Sequence, residues 1–262
     1  MVGERNSPYH AYWDRIGASF PSLKGAASTR YYLQCERMLF DAFYPAVDGK
    51  SVFKTDLWDE AKNTEILGWL ATRGALPVGI DVSLPTVLQA REITWNRAPL
   101  FAAGDVRQIP FRSDTFDVVY SMGTIEHMPD YERAVAEIFR VLKPGGTAIV
   151  GVPNKLDPFL RPALVTLLNL VGGYPYGREK SFTPRELRRL LESAGFEVTA
   201  RSGILFIPGW LRMLDLLLYT RRSRLGWVTR GAVALFAWIY RRFPSARQHG
   251  YLIADRARKP GG

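Results

Sequence analysis

The chain has 262 residues, of which 47% are hydrophobic and 23% charged, a composition typical of a globular protein with one good-sized core. Its one cysteine, Cys35, excludes an internal disulfide and a thiol cluster for a metal, which fits a reducing compartment. The net charge of +10 is uneven, because residues 201–262 hold 12 Lys/Arg and 2 Asp/Glu, whereas residues 1–150 hold 16 and 18. The polar N-terminus lacks the apolar core of a secretory signal, so we expect a cytoplasmic protein.

Apolar runs alternate with helical patterns along the first two thirds of the chain, at the spacing of repeated βα units. This alternation predicts a parallel sheet with helices on both faces, in which ligands bind at the carboxyl ends of the strands. An aromatic region of short helices (1–50) precedes a core (51–201) with strands at 51–55, 77–81, 99–103, 115–120 and 146–152 and helices near 61–73, 84–92 and 131–142.

The last third of the chain adds a capped helix, two strands and an insertion. Thr183 is a predicted N-cap, and Glu186 completes a capping box, so a helix should run to about Ala194. A strand follows at 196–201 and a final one at 250–255. Between those strands, residues 202–249 contain two apolar, Arg-flanked helical patterns. We interpret them as an insertion in a single domain.

Acidic residues follow two neighbouring predicted strands. Asp81 could accept two hydrogen bonds from a ribose diol, as the acidic residue of dinucleotide-binding folds does, or could cap the next helix. Asp105 could meet the exocyclic amine of adenine, or be an ordinary loop residue. Because the carboxyl ends of parallel strands share one edge of a sheet, we expect both carboxylates to face one cleft that holds a nucleoside.

The fourth predicted strand leads into a loop of small residues that ends in a Glu-His pair, Glu126-His127. Small side chains there allow a ligand to approach the backbone closely. The stretch GDVRQIPFRSDTFDVVYSMGTIEHMPDYERAVAEIFRVLKPGG, which contains this loop, resembles the core of class I S-adenosylmethionine (SAM)-dependent methyltransferases. Its EHMPD loop is similar to the ubiquinone and menaquinone methyltransferase branch. The resemblance implies a Rossmann-like α/β fold with an antiparallel last strand and a helical insertion before it.

The resemblance also implies roles for individual residues, with SAM as cofactor. Asp81 and the adjoining Val82 would hold the ribose, Asp105 and Val106 would flank the adenine, and Ser121 would line the methionine side of the pocket. If the acceptor is a hydroxyl, His127 is the candidate general base and Glu126 would orient it, although such a pair can also serve only to shape the loop. By analogy to the ubiquinone branch, Glu126 and His127 could hold a divalent metal, but two ligands make a weak case, so no metal ligand is predicted.

The first strand-to-helix turn departs from the family pattern, an acidic residue followed by glycines. Lys54 stands where the acid is expected, followed by Thr55 and Asp56, which we include among the cofactor contacts. Either Asp56 or Asp59 takes over the carboxylate role in a reshaped loop, or the site is damaged and the protein is a non-catalytic module on a methyltransferase fold.

The insertion is apolar and basic, and the segment 203–243 is the candidate for a partner surface. It has no run long enough to span a membrane, but its wide apolar faces, Trp residues and clustered Arg suit helices that lie on a membrane surface. Packing of the two helices on each other or in a homodimer is the alternative. Nucleic acid is the least favoured of the three partners, because a groove that binds nucleic acid would not contain runs of Leu.

The segment Pro162–Gly177 is also apolar, so the cleft should have an apolar lid. We therefore expect a SAM-dependent O- or C-methyltransferase that acts on a lipophilic small molecule and is peripheral on the inner face of the cell membrane.

Overall fold

A computed structural model describes residues 8–92, 99–174 and 176–261. Its strands form one sheet: β1 (Ser51–Lys54), β2 (Leu76–Asp81), β3 (Leu100–Ala103), β4 (Phe116–Met122), β5 (Leu142–Pro153), β6 (Glu197–Ile204) and β7 (Leu252–Arg258). The strand order is β3-β2-β1-β4-β5-β7-β6, and β7 runs antiparallel to both of its neighbours while the pairs from β3 to β5 are parallel. The Rossmann-like sheet with an antiparallel last strand is confirmed.

Helices cover both faces of this sheet. In chain order, the helices of the described segments are α1 (Pro8–Ser19), α2 (Ala27–Phe43), α3 (Trp58–Lys62), α4 (Ile66–Thr72), α5 (Leu84–Arg91), α6 (Tyr131–Val141), α7 (Arg161–Leu170), α8 (Pro184–Ser193), α9 (Gly209–Thr220) and α10 (Gly226–Arg242). The N-terminal region therefore contains two helices, and α2 is longer than the short helices that its aromatic composition predicted.

The side chains of each strand alternate between the two faces of the sheet, so the interior contains two hydrophobic cores, one on each face. Val52 and Val118 face the core beneath α2, α4 and α10, and the next residues, Phe53 and Val119, face the core beneath α6 and α8. Successive side chains of a strand point to opposite faces, and both faces of a covered sheet are apolar. The continuous apolar strands of the sequence thus follow from a sheet buried on both sides.

Two predicted elements differ from the observed ones. The helix expected at 61–73 is two helices, because the Asn63 side chain turns inward to hydrogen-bond Thr29 and Asp59 at 2.9 and 2.8 Å, and Glu65 adopts a left-handed φ of 58°. The residues Lys143–Gly146, between the helix expected near 131–142 and the strand expected at 146–152, belong to β5. They form a bulge, since two steps along β4 match five along β5 in the register between these strands.

The capping box that begins α8 is confirmed. Thr183 Oγ1 accepts a hydrogen bond from the Glu186 backbone N–H at 3.2 Å, and Glu186 Oε2 accepts one from the Thr183 N–H at 2.7 Å. Gly195, with a φ of 98°, follows the helix in a conformation that other residues rarely adopt. Pairing with β7 then extends the following strand to Ile204, three residues beyond the prediction.

The two helical patterns of the insertion are confirmed as α9 and α10, which pack on each other and on α2. Asp215 of α9 joins all three helices. Its buried carboxylate accepts hydrogen bonds from the Ser28 backbone N–H and the Thr229 hydroxyl, both at 2.8 Å. In the described part of the chain, no helix combines the length and the apolar character needed to cross a bilayer.

Candidate active site

A cleft opens at the carboxyl ends of β1, β2, β3 and β4. Strand ends supply its floor, and side chains from α1, α9 and the segment 161–179 surround its mouth. We call it the central cleft. It brings together eight of the nine residues that the sequence predicted for the site: Thr55, Asp56, Asp81, Val82, Asp105, Val106, Glu126 and His127.

Asp81 is fixed at the end of β2 by the backbone around it. Its Oδ2 accepts a hydrogen bond from the Leu57 N–H and its Oδ1 accepts one from the Ser83 N–H, both at 2.8 Å. Burial, with the nearby charge of Asp56, raises the pKa of Asp81 to about 7. Each oxygen retains a second lone pair, so the carboxylate can still accept hydroxyl hydrogens from a ligand.

Asp105 carries an ion pair that the sequence did not reveal. The Arg107 guanidinium binds it through Nε at 3.0 Å, and the Arg107 backbone N–H donates to the same oxygen at 2.8 Å. Burial opposes ionisation, but these hydrogen bonds hold the pKa of Asp105 below its usual value. Arg107 also lies 4.8 Å from the ring centre of Tyr9 and 3.2 Å from Asp130, so it links α1 to this wall of the cleft.

Lys54 lies fully buried beneath the reshaped first loop. Its Nζ is 2.9 Å from Asp56, 3.3 Å from Asp59 and 3.3 Å from Glu60. Burial disfavours the ammonium, but these three carboxylates together raise the pKa of Lys54 well above its usual value. Lys54 therefore neutralises part of an acidic cluster, and two of its partners, Asp56 and Asp59, line the cleft.

Ser121 does not line the cleft, contrary to the sequence prediction. It is fully buried at the end of β4, and its hydroxyl lies 2.9 Å from the Thr55 hydroxyl. Thr55 in turn contacts Thr124 at 3.1 Å, and Thr124 donates a hydrogen bond to Asp56 at 2.7 Å. Ser121 therefore supports the wall from behind, because side chains alternate along β4 and its own points into the protein.

Glu126 and His127 form one turn of 3-10 helix above the end of β4. His127 Nε2 and Glu126 Oε1 are 3.9 Å apart, too far for a hydrogen bond. Burial lowers the pKa of His127, so the imidazole is neutral near pH 7, and burial together with Glu179 raises the pKa of Glu126 well above its usual value. Trp13 of α1 packs edge-on against His127, with ring centres 5.2 Å apart.

The mouth of the cleft holds residues that the sequence patterns did not single out. Arg161 forms a buried ion pair with Glu179, and Tyr174 donates a hydrogen bond to the same carboxylate at 2.7 Å. Arg212 of α9 also lines the cleft. The polar residues of an otherwise apolar lid were the signal that could have indicated them. Within 8–92, 99–174 and 176–261, no group of three or more His, Cys, Asp or Glu residues is placed to hold a metal.

A parallel sheet of this strand order, with an antiparallel last strand and carboxylates at the ends of β2 and β3, defines a Rossmann-like methyltransferase fold. This fold agrees with the resemblance of the sequence to class I SAM-dependent methyltransferases, and similarities to known proteins support that resemblance. Residues 63–150, about a third of the chain, match the family model described as Methyltransferase domain.

Curated relatives are similar over part of their length. A protein of Mycolicibacterium smegmatis named "Probable S-adenosylmethionine-dependent methyltransferase" is 28% identical over 183 residues, which cover 70% of this chain and 66% of that protein. The ubiquinone biosynthesis O-methyltransferase of Rhizobium etli is 28% identical over 144 residues, covering 53% of this chain and 58% of the enzyme. The chain thus spans somewhat less than two thirds of the length of these relatives.

Solved structures share the fold at low sequence identity. An S-adenosylmethionine-dependent methyltransferase from Mesorhizobium loti superposes with a TM-score of 0.59 at 16% identity, covering 87% of this chain and 100% of that one. The [4+2]-cyclase SpnF superposes with a TM-score of 0.59 at 19% identity, covering 96% and 92%. Because a cyclase is among them, the fold by itself does not specify the reaction.

Proposed function

We propose that the protein binds SAM in the central cleft and transfers its methyl group to an oxygen or carbon of a lipophilic small molecule. The observation that carries this proposal is the convergence of Asp56, Asp81 and Asp105 on one cleft at the carboxyl ends of adjacent strands. In such sheets this edge is where nucleotide ligands bind.

The charge of the cleft fits this cofactor. Its described lining holds six carboxyl groups against two guanidinium groups, Arg161 and Arg212. A cleft with an excess of acidic groups attracts a cation, and SAM carries a sulfonium and an ammonium. Asp81 would hold the ribose hydroxyls, Asp105 and Val106 would border the adenine, and Asp56 and Asp59 would replace the acidic residue that Lys54 displaces.

The residues of the chain have two tasks in the reaction. When bound, SAM supplies an electrophilic methyl group, so the protein mainly positions the reactants and excludes water. Tyr9 and Trp13 of α1 contribute to that exclusion, because they line the cleft beside the strand ends. His127, neutral near pH 7, would accept the proton of an acceptor hydroxyl at a ring nitrogen. Glu126 makes no direct hydrogen bond to the ring, because its Oε1 lies 3.9 Å from His127 Nε2.

The tight coverage of His127 bears on this role. Its side chain is 12% exposed and packs against Trp13, so an acceptor must enter between α1 and the lid to reach it. Aromatic rings on both sides of that entrance, Trp13 and Tyr176, favour a flat or lipophilic acceptor. The similarity to ubiquinone biosynthesis O-methyltransferases agrees with small-molecule O-methylation.

The outer surfaces of α7, α9 and α10 support a membrane partner for the same function. These helices are neighbours, α7 beside α9 and α9 beside α10. We call their solvent side the outer apolar surface. Its large exposed residues are Leu167, Leu170, Val171, Trp210, Leu214, Leu217, Trp227, Val228, Leu235 and Trp238.

The charges around the outer apolar surface are all of one sign. From 203 to 249 the sole acidic residue of the sequence is Asp215, and it is buried between helices. The exposed charges of this segment are Arg221, Arg222, Arg224, Arg230, Arg241 and Arg242. An apolar surface surrounded by cations complements an anionic bilayer. Because α7 and α9 also contribute Arg161 and Arg212 to the cleft, a membrane-dissolved acceptor would arrive close to its mouth.

Calorimetric titration with SAM tests the cofactor assignment. The wild type should bind SAM, and Asp81→Ala should lose binding because the ribose hydroxyls lose their acceptor. Asp41→Ala, an exposed carboxylate on α2, is the control and should bind as the wild type does. No heat at high micromolar SAM with folded wild-type protein would support the alternative, a non-catalytic module, which the substitution of Lys54 for the family's acidic residue favours.

Methyl transfer is tested with methyl-tritiated SAM and a chloroform–methanol extract of the cells that express the protein. We expect label in the organic phase, and a loss of about 10²–10⁴-fold in rate with His127→Gln if the imidazole is the base. SAM affinity should not change in that variant. Label that stays in the aqueous phase would contradict a lipophilic acceptor. Full activity of His127→Gln would contradict His127 as the general base.

Vesicle co-sedimentation tests the membrane partner. The wild type should bind phosphatidylglycerol-containing vesicles more than phosphatidylcholine vesicles, and salt should weaken this binding. The double variant Trp227→Ser/Trp238→Ser should bind less, whereas Leu88→Ser, an equally exposed apolar residue of α5, should not. Absence of binding together with a dimer in analytical ultracentrifugation would identify a second copy of the chain as the occupant.

A further inference from the structure

Arg212 is a cation of the central cleft that has no acidic partner in the part of the chain that the structure describes. No carboxylate of the described segments lies within ion-pair distance of its guanidinium, and its buried Nε has no hydrogen-bond partner among them. The rings of Tyr32 and Tyr251 flank the guanidinium, each 5.3 Å from its central carbon. A partly buried guanidinium with aromatic rings as its neighbours still offers its planar donors to an anion.

Two other buried cations near the cleft, Arg161 and Lys54, have carboxylate partners. Arg161 is paired with Glu179, and Lys54 has three carboxylates within 3.3 Å. Buried charges in proteins are normally paired, so an exception inside a ligand cleft indicates that the partner is the ligand. A planar guanidinium is suited to a carboxylate, which it can bind through two parallel hydrogen bonds.

The position of Arg212 within the cleft identifies the ligand end that it faces. Arg212 lies over the ring of Tyr32 of α2, and Asp59 is joined to the same helix one turn earlier through Asn63 and Thr29. Asp105 follows β3, the strand that pairs with the end of β2 at Asp81, and its partner Arg107 packs against Tyr9 of α1. The cleft therefore has one end with Asp81 and Asp105, assigned above to the nucleoside, and another with Arg212 and Asp59. A cation and an anion at the same end complement the zwitterion of an α-amino acid.

We propose that Arg212 is the carboxylate-binding residue of the cleft and receives the α-carboxylate of the cofactor's methionine part, while Asp59 and Asp56 face its ammonium group. This inference rests on the proposed function, since it requires SAM in the cleft. The insertion then has a task in cofactor binding as well as in acceptor binding. A carboxylate on the acceptor is the second source of the same chemistry.

The structure holds Arg212 in place for this task. Asp215, three residues further along α9, fixes the helix to α2 and α10 through its two buried hydrogen bonds. The guanidinium is also confined between Tyr32 of α2 and Tyr251 before β7. A preorganised donor loses little conformational entropy when it binds its ligand.

Calorimetry with two cofactor forms tests the inference. SAM and decarboxylated SAM, which lacks only the α-carboxylate, are titrated into wild type, Arg212→Gln and Arg212→Lys. Arg212→Gln should weaken SAM binding about 10–100-fold, the loss expected for a charge-assisted pair. It should leave decarboxylated SAM unchanged. Arg212→Lys should restore part of the SAM affinity, and Arg230→Gln, an exposed position of α10, should match the wild type. Thermal unfolding confirms that each variant is folded.

The second source is tested on protein loaded with S-adenosylhomocysteine, using 4-hydroxybenzoate and 4-hydroxybenzyl alcohol as probes. If Arg212→Gln binds SAM normally but loses 4-hydroxybenzoate and not the alcohol, the carboxylate site is supported and its ligand is the acceptor. Wild-type-like binding of every probe by Arg212→Gln overturns the inference while leaving the proposed function intact. A wild type that does not bind SAM overturns the proposed function and the cofactor form of the inference together.

Discussion

Asp81 and Asp105 lie at neighbouring strand ends, but their surroundings shift the two pKa values in opposite directions. Backbone N–H groups are the hydrogen-bond donors to Asp81, and burial raises its pKa to about 7. Asp105 has the Arg107 guanidinium beside it, and its pKa lies below the usual value. Asp105 is therefore ionised throughout the physiological range, whereas Asp81 titrates within it.

Cofactor affinity should consequently depend on pH through Asp81. If the ionised carboxylate is the form that accepts the ribose hydroxyls, a pKa of about 7 makes SAM binding roughly tenfold weaker at pH 6 than at pH 8. Titration calorimetry at pH 6, 7 and 8 measures this slope. Asp81→Asn should bind weakly at every pH, and a wild-type affinity that is flat from pH 6 to 8 would argue against Asp81 as the ribose ligand.

Lys54 shows how one substitution reorganises a loop. At a position where the family has an acid, a fully buried ammonium holds Asp56, Asp59 and Glu60 together. Without the ammonium, three carboxylates would be left close to one another in a low-dielectric interior. The loop therefore depends on Lys54, although this residue is the one that departs from the family's sequence pattern.

Lys54→Met should destabilise the protein by about 3–5 kcal/mol, the cost of removing one partner from a buried set of charges. Urea unfolding measures the free energy. The matched control is Lys155→Met, whose exposed pair with Glu186 at 3.8 Å should contribute less than about 1 kcal/mol. A loss for Lys54→Met as small as that of the control would show that the cluster is not stabilised by this ammonium.

At the scale of elements, the sequence correctly predicted helix ends that depend on nearby residues. It did not predict those that depend on tertiary contacts. The capping box of α8 joins Thr183 and Glu186, three residues apart, and needs nothing else. The break between α3 and α4 needs Thr29, a residue of α2 that the local sequence does not contain. The bulge at Gly145 needs β7 as a pairing partner for β5.

Thr183→Ala should remove one half of the capping box and cost about 1 kcal/mol of unfolding free energy. Thr166→Ala on α7 is the control, because its exposed hydroxyl donates only to the Pro162 carbonyl of its own helix. That control should change stability by less than about 0.5 kcal/mol. Equal effects of the two substitutions in urea titrations would contradict a specific role of the cap.

Across the whole molecule, charge is separated into an acidic cleft and a basic insertion. The acidic groups that burial leaves with raised pKa values include Glu60 and Asp81, both near 7. The exposed basic groups lie in the segment between α9 and α10 and on α10. The same chain can therefore attract a cationic cofactor into the cleft and face an anionic surface with the exposed Arg residues of the insertion.

Stability should fall as pH rises from about 4 to 7. Glu60 and Asp81 have folded-state pKa values above their unfolded values, so the folded protein binds more protons in this window and loses that advantage as the groups ionise. Carboxylates with lowered pKa values, such as Asp105 and Glu137, act in the opposite direction below about pH 4. His127, whose pKa is also lowered, opposes the fall below about pH 6.5, but it is one group against the two raised carboxyl groups.

Thermal unfolding at pH 5, 6, 7 and 8 measures this dependence. We expect the melting temperature of the wild type to be several degrees lower at pH 8 than at pH 5, and the double variant Glu60→Gln/Asp81→Asn to show a smaller difference. A melting temperature that rises over this range in the wild type would contradict the raised pKa values.

The sequence by itself determined the parallel sheet, the order of its elements and the strand ends that carry Asp81 and Asp105, because apolar periodicity and the chain's alternation of strands and helices are local and repeated signals. It also located the Glu126-His127 turn and the two helices of the insertion. These features depend on residues that are close together in the sequence, so local patterns are enough to predict them.

Only the tertiary structure decided which polar groups meet. It paired Lys54 with three carboxylates, buried Ser121 behind Thr55 of the cleft wall, and placed Arg212 beside Tyr32 and Tyr251 with no acidic partner among the described residues. Such contacts join residues far apart along the chain, and neither periodicity nor spacing encodes them. Their energies depend on burial and on distances of a few ångströms, which exist only once the helices have packed on the sheet.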